Sequence, residues 1–121
     1  MSHTITVTTQ NFQEEVLDFQ GVVLVDFYAD WCMPCKALAP ELEKIAEGFQ
    51  MNTKVKIAKL NTEDSMEIAQ EYQIRGIPNV IIFNNGQKIQ QLVGLRPKND
   101  YEQIINEELE KESAAEVNIE L

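Results

Sequence analysis

The apolar run from Val22 to Tyr28 places the strongest restriction on the fold of this chain. It has the length of a strand, and apolar residues fill nearly every position instead of alternate ones. A strand of this kind is buried on both faces, as the inner strands of helix-covered parallel sheets are. The run therefore predicts a sheet with helices packed on both sides, within the single domain that 121 residues can form.

Periodicity and turn residues place the other elements around this strand. In order, they are a strand at 5–7, a helix capped by Thr9 and ended by Gly21, the buried strand, a helix at 35–49 kinked by Pro40, a strand at 55–60, a helix at 66–72, strands at 79–83 and 88–93 joined by Asn84-Asn85-Gly86, and a helix at 100–112. The first three strands need parallel crossovers, whereas the hairpin is antiparallel. This order predicts an α/β fold with a central mixed five-stranded sheet and helices on both faces.

Two cysteines, Cys32 and Cys35, stand where the buried strand gives way to the kinked helix. A thiolate is the nucleophile in disulfide exchange, and a helix N-terminus favours a nearby negative charge, which would activate Cys32. Pro34 suits the first helical turn. Cys35 is expected one turn deeper, facing inward, where it would attack the mixed disulfide formed at Cys32. The pair therefore predicts dithiol/disulfide exchange.

A metal site and an accidental pair are the alternatives to redox chemistry. Zinc sites and iron–sulfur clusters usually need four ligands, whereas this chain offers two thiols and one histidine, His3, near its first residue. We therefore expect no bound metal.

Asp26 interrupts the apolar strand, where an unpaired carboxylate is costly. Burial would raise its pKa and couple its titration to that of Cys35. A carboxylate there would accept the proton of Cys35 as that thiol becomes the attacking thiolate. The alternative is an acid at a solvent-facing position of the strand.

The overall charge is acidic, with 20 acidic against 10 basic residues and a net charge of −10. This balance repels phosphate backbones, so we expect no nucleic-acid binding. No apolar run is long enough to span a membrane, and the first ten residues lack the basic and apolar regions of a secretory signal. These features predict a cytoplasmic protein without membrane contact, in a compartment that keeps thiols reduced.

Several segments resemble the thioredoxin family in order and spacing. They are VDFYADWCMPCK at 25–36, Pro40, KLN at 59–61, RGIP at 75–78 and VG at 93–94. The resemblance extends over about residues 5–110 and implies the thioredoxin fold. It also implies a protein-disulfide oxidoreductase in which Cys32 attacks the client disulfide and Cys35 resolves the mixed disulfide.

The resemblance assigns further roles residue by residue. Asp26 and Lys59 match the family's buried acid and its neighbouring lysine. Pro78 is expected to follow a cis peptide bond, and the backbone of Ile77 to pair with an extended client strand. The implied docking surface consists of Trp31, Met33, Ile77, Pro78 and Gly94. The implied electron donor is thioredoxin reductase supplied by NADPH, with no cofactor bound to the chain itself, which is expected to be a monomer.

Three residues depart from the family pattern. Met33 stands where glycine is usual, and with Pro34 it forms the dipeptide that tunes redox poise. Tyr28 stands where tryptophan is common, and Asn79 where threonine is usual, which we expect to alter client contacts. A dedicated donor for one partner and a non-catalytic interaction module with this fold are therefore the alternatives to a broad reductase.

The acidic tail at 113–121 follows the predicted domain, 1–112. We expect this tail to be frayed, since chain ends are poorly ordered unless they dock. The alternation of Val117, Ile119 and Leu121 with polar residues suggests instead a strand that adds to a sheet edge.

Overall fold

A computed structural model describes the backbone of residues 2–120 and the side chains of residues 2–114. The elements are β1 (Ile5–Thr6), a π-helical turn (Gln13–Leu17), β2 (Val22–Tyr28), α1 (Met33–Gly48), β3 (Val55–Asn61), α2 (Met66–Glu71), β4 (Asn79–Asn84), β5 (Gln87–Val93) and α3 (Lys98–Glu120).

One sheet contains all five strands, in the order β1-β3-β2-β4-β5. β3 runs parallel to both β1 and β2, whereas β4 is antiparallel to β2 and to β5. The predicted mixed sheet is confirmed, and the apolar run Val22–Tyr28 is its central strand.

Each face of the sheet has its own apolar layer, because successive side chains of β2 point to opposite faces. On the face covered by α1 and α3, the buried residues include Val22, Leu24, Leu38, Ile45, Val80, Leu92, Tyr101 and Ile105. On the face covered by the π-helical turn and α2, they include Phe12, Val16, Val23, Val25, Phe27 and Ile68. We call these the α1/α3 face and the α2 face. The double layer explains why β2 is apolar at nearly every position.

The segment after β1 differs from its prediction. The helical part is short: Phe12 is α-helical and Gln13–Leu17 forms a single π-helical turn, closed by a 2.8 Å bond from the Asp18 N–H to the Gln13 carbonyl. The cap predicted at Thr9 is wrong, since its Oγ1 accepts no hydrogen bond from the described residues and the π-helical turn begins after Phe12. The helix is therefore shorter than predicted, although its apolar residues Phe12 and Val16 are buried as their spacing implies.

Helix α3 is longer than predicted. It continues past Glu112 to Glu120, so Val117 and Ile119 lie in a helix instead of the suggested strand. Ala114 and Ala115, the residue type with the highest helix propensity, favour this continuation. Leu121 lies outside the described residues, and a frayed end stays a prediction.

Candidate active site

A disulfide joins Cys32 and Cys35 at the N-terminus of α1, with their Cα atoms 5.2 Å apart. Cys32 is the N-cap residue in an extended conformation, and its Sγ accepts a hydrogen bond of 3.2 Å from the Cys35 N–H. Pro34 lies in the first turn, where the N–H that it lacks has no helical acceptor. The cap thus directs a backbone donor at the Cys32 sulfur, which would stabilise a thiolate there after reduction.

The loop before β4 approaches the disulfide through its backbone. The Ile77–Pro78 peptide bond is cis, as the resemblance implies. The Ile77 carbonyl oxygen lies 3.8 Å from Cys32 Sγ, and the Pro78 carbonyl accepts a 2.8 Å bond from the Gly94 N–H. Residues from three distant parts of the sequence, at Cys32, Ile77 and Gly94, therefore meet at one edge of the molecule.

The residues predicted to dock clients differ in exposure. Trp31 and Met33 are 67% and 71% exposed, Ile77 and Gly94 are half-buried, and Pro78 is buried. The Trp31 indole N–H donates to a Glu63 carboxylate oxygen at 3.1 Å, which holds the ring in place. Pro78 therefore contributes little exposed area to this predicted surface.

Two exposed apolar residues beside Gly94 were missed by the sequence reasoning. Val93 and Leu95 are each more than half exposed, on either side of a glycine with φ +91°. Leu95 carried a signal, since it is an apolar residue in the loop between β5 and α3. Exposed apolar residues grouped in this way are typical of protein-binding surfaces.

Asp26 is 3% exposed, so the alternative of a solvent-facing acid is wrong. Burial raises its pKa to about 7, although the positive charge of Lys59 acts in the opposite direction. Lys59 is the neighbour of Asp26 in register on β3. Alternation along β2 places Asp26 on the α1/α3 face. The buried side of α1, which includes Cys35 and Leu38, covers this same face.

Asn79, which was expected to alter client contacts, is not accessible at the surface. Its side chain is buried, and its oxygen accepts a 3.0 Å hydrogen bond from the Gln91 amide on β5. The expectation of altered client contacts through this side chain is therefore not supported by its position, which is inside the β4–β5 pair.

Within the part of the chain that the structure describes, no three metal-binding side chains cluster together. None of the described helices is long and apolar enough to cross a membrane.

Comparison with known proteins decides the family. The model of the thioredoxin family matches residues 3–107. The chain belongs to the thioredoxin family. Thioredoxin 1 of Nostoc sp. is 42% identical to it over 109 residues, which cover 90% of this chain and 100% of that protein. The thioredoxin of Rickettsia bellii is 44% identical over 100 residues, covering 83% of this chain and 93% of that protein.

The fold comparison agrees with the sequence comparison. The solved structure of a mutant thioredoxin from Halobacterium salinarum superposes with a TM-score of 0.77 at 32% identity, covering 89% of this chain and 94% of that one. The thioredoxin fold is thus confirmed. With a disulfide formed between Cys32 and Cys35, this family member is a protein-disulfide oxidoreductase, and the thioredoxin family needs no bound cofactor.

Proposed function

We propose that this chain reduces disulfides in a broad set of client proteins, with Cys32 as the attacking and Cys35 as the resolving residue. The observation that supports this order most directly is the Cys35 N–H, which donates to Cys32 Sγ. That donor and the N-terminus of α1 both stabilise a negative charge on Cys32. Cys35 lies on the buried side of the same helix.

The reaction moves two electrons to the client in two exchange steps. The Cys32 thiolate attacks one sulfur of the client disulfide, which forms the mixed disulfide and releases the other client sulfur as a thiolate. The Cys35 thiolate then attacks Cys32 Sγ, which releases the second client thiolate and forms the Cys32–Cys35 bond. Because Cys35 is tethered to the same helical turn, this second attack occurs at high effective molarity.

Asp26 is proposed to accept the proton that Cys35 loses before its attack. A carboxyl group with a pKa of about 7 is present in both protonation states near neutral pH, which suits a general base. Lys59 is proposed to tune this group by its charge. Met33 and Pro34, which separate the two cysteines in the sequence, are proposed to set the redox poise.

Clients are proposed to dock on a surface formed by Trp31, Met33, Ile77, Pro78 and Gly94. The 3.8 Å approach of the Ile77 carbonyl to Cys32 Sγ supports this arrangement. A client segment that pairs with the Ile77 backbone as an added strand would bring its disulfide close to the attacking sulfur.

The electron source is proposed to be thioredoxin reductase supplied by NADPH, and the site of action the cytoplasm. Family membership supports the reductase. The working form is proposed to be a monomer, in which residues 1–112 make up the domain and 113–121 an acidic tail. The family match supports this division, because it ends at residue 107.

Reduction of insulin disulfides by dithiothreitol tests the proposal, with wild type compared with Cys32→Ser and Cys35→Ser. We expect wild type to accelerate the reaction and Cys32→Ser to give no acceleration. Cys35→Ser should accumulate a mixed disulfide between Cys32 and the client. An inert wild type with both thiols free would contradict the broad reductase and favour a dedicated donor. Activity that persists in Cys32→Ser would contradict the assigned order of attack.

A further inference from the structure

Tyr101 is a fully buried tyrosine whose hydroxyl group forms no hydrogen bond with a side chain among the described residues. It lies on α3 and packs on the α1/α3 face, in the same apolar cluster as Leu24, Val80 and Leu92. A buried hydroxyl without a partner is unfavourable, and phenylalanine would fill the same space without that cost. The Arg96 backbone N–H donates to the phenol oxygen, but it offers no acceptor for the hydroxyl hydrogen. That hydrogen therefore points to an acceptor nearby.

Asp26 supplies a second buried polar atom in the same layer. One oxygen of its carboxyl group, Oδ1, has no partner among the described residues. In the register of the sheet, Asp26 is opposite Val80, and Val80 is opposite Leu92. Val80 and Leu92 both belong to the cluster that contains Tyr101. The carboxyl group and the phenol thus lie in one layer between the sheet and α3.

The other buried polar atoms without partners lie elsewhere. Asn84 Oδ1 is on the residue opposite Val22, at the far end of β2 from Asp26. Thr9 Oγ1 belongs to the segment that the Ser65 hydroxyl anchors outside the sheet. Asn84 shares the α1/α3 face with Tyr101, but Asp26 is the residue whose charge acts on the phenol.

Electrostatics supports the closeness of the two groups. The pKa of Tyr101 is raised to about 12, first by burial and next by the negative charge of Asp26, whereas the charge of Arg96 and a hydrogen bond from its backbone N–H act in the opposite direction. The other titratable or charged groups around the pair are Lys59 on β3, Tyr28 on β2, Cys35 on α1, and Arg96 and Asp100 before and within α3. Because the phenol is a far weaker acid than Asp26, the phenol is the hydrogen-bond donor when Asp26 is ionised.

We propose that the Tyr101 hydroxyl donates a hydrogen bond, relayed by one buried water molecule, to the Asp26 carboxylate. Tyr101 is then a positioning residue, which acts through Asp26 and touches neither sulfur nor client. It favours the ionised carboxylate, the form that accepts a proton, against the burial that opposes it. The effect of Tyr101 on turnover rests on the proposed role of Asp26 as proton acceptor. The hydrogen-bonded coupling between Tyr101 and Asp26 does not depend on that role.

The test is the pKa of Asp26 in Tyr101→Phe, followed by carbon-13 NMR of its carboxyl carbon. Loss of the donor removes stabilisation of the carboxylate, so we expect the pKa of Asp26 to rise by about one pH unit. Tyr72→Phe is the matched control, because it removes the same oxygen from a tyrosine on the α2 face. It should leave the pKa of Asp26 unchanged. An Asp26 pKa in Tyr101→Phe that equals the wild-type value or falls below it overturns the proposal.

A second measurement uses the wild-type protein, so that the test does not depend on the folding of Tyr101→Phe. The Cζ carbon of Tyr101, which bears the hydroxyl, should change its chemical shift with an inflection at the pKa of Asp26. That inflection should vanish in Asp26→Asn. A Tyr101 shift that is insensitive to the titration of Asp26 overturns the coupling. Neither readout involves a client. The coupling can therefore be disproved while the role of Asp26 in turnover stands, and the role of Asp26 can be disproved while the coupling stands.

Discussion

At the residue scale, Asp26 links stability to pH. Its pKa is raised from 3.8 to about 7, because burial disfavours the charged form more than Lys59 favours it. Between these two values the folded protein holds a proton that the unfolded chain has released. The free energy of unfolding therefore falls as the pH rises from about 4 to about 7. Above that range the ionised carboxylate lowers it by about 4 kcal/mol.

Asp26→Asn should abolish this dependence. Between pH 5 and pH 8, we expect the free energy of unfolding of wild type to fall by about 3 kcal/mol more than that of Asp26→Asn. Urea unfolding at the two pH values measures the difference. Asp64→Asn, at an exposed position, is the control, and its free energy of unfolding should depend on pH as that of wild type does. Parallel curves for wild type and Asp26→Asn would contradict the burial of an ionisable carboxyl group.

Met33 offers a matched test of the docking surface, because Met51 is the same residue type and is 90% exposed just beyond α1. Met33→Ala should lower kcat/KM for insulin about fivefold relative to its kcat/KM for a small disulfide, since it removes about 1 kcal/mol of client contact. A change in redox poise would affect both substrates, so it cancels in the ratio of the two kcat/KM values. Met51→Ala should change neither value. Equal losses on both substrates would assign Met33 to redox poise alone.

At the scale of elements, the β4–β5 hairpin depends on Asn85 and Gly86, which have φ values of +52° and +81°. A Cβ atom on Gly86 would also meet the Leu17 carbonyl of the π-helical turn. Gly86→Ala should therefore lower the free energy of unfolding by about 1–3 kcal/mol. Gly48→Ala, at an exposed end of α1 with open space around it, should raise it by up to about 1 kcal/mol. Thermal and urea unfolding of both variants provide the comparison, and equal stabilities would contradict it.

The elements that sequence predicted well are those whose cause is local. The apolar run of β2, the Asn-Asn-Gly turn and the cysteine pair at the start of α1 each depend on neighbouring residues. The helix start at Thr9 was mispredicted, and the structure shows a contact there that sequence could not give: the Thr9 N–H donates to Ser65, which is remote in sequence. The relation of Asp26 to Tyr101 was out of reach for the same reason. Periodicity predicts that Tyr101 is buried, but not which strand residue its hydroxyl approaches.

At the scale of the whole molecule, the domain should not need the last residues of α3. Glu112 still bonds the Asn85 side chain at 2.7 Å, and Leu109 is half-buried. A chain that ends at Glu112 should keep its reductase activity and its free energy of unfolding to within about 0.5 kcal/mol. A chain that ends at Ile104 loses the buried Ile105 and should lose at least about 2 kcal/mol. Circular dichroism and urea unfolding distinguish the two, and a marked loss on removal of 113–121 would refute the division at 112.

The attacking sulfur is recessed between prominent neighbours. Cys32 is 4% exposed, whereas Trp31 and Met33 on either side are about two-thirds exposed or more. A rigid, rounded surface of a client would meet these two side chains before it reached the sulfur. A slender, extended segment would pass between them. If clients dock at this surface as proposed, we expect selection by the free energy that a target must spend to release its disulfide from its own fold, with partly unfolded proteins reduced before intact ones.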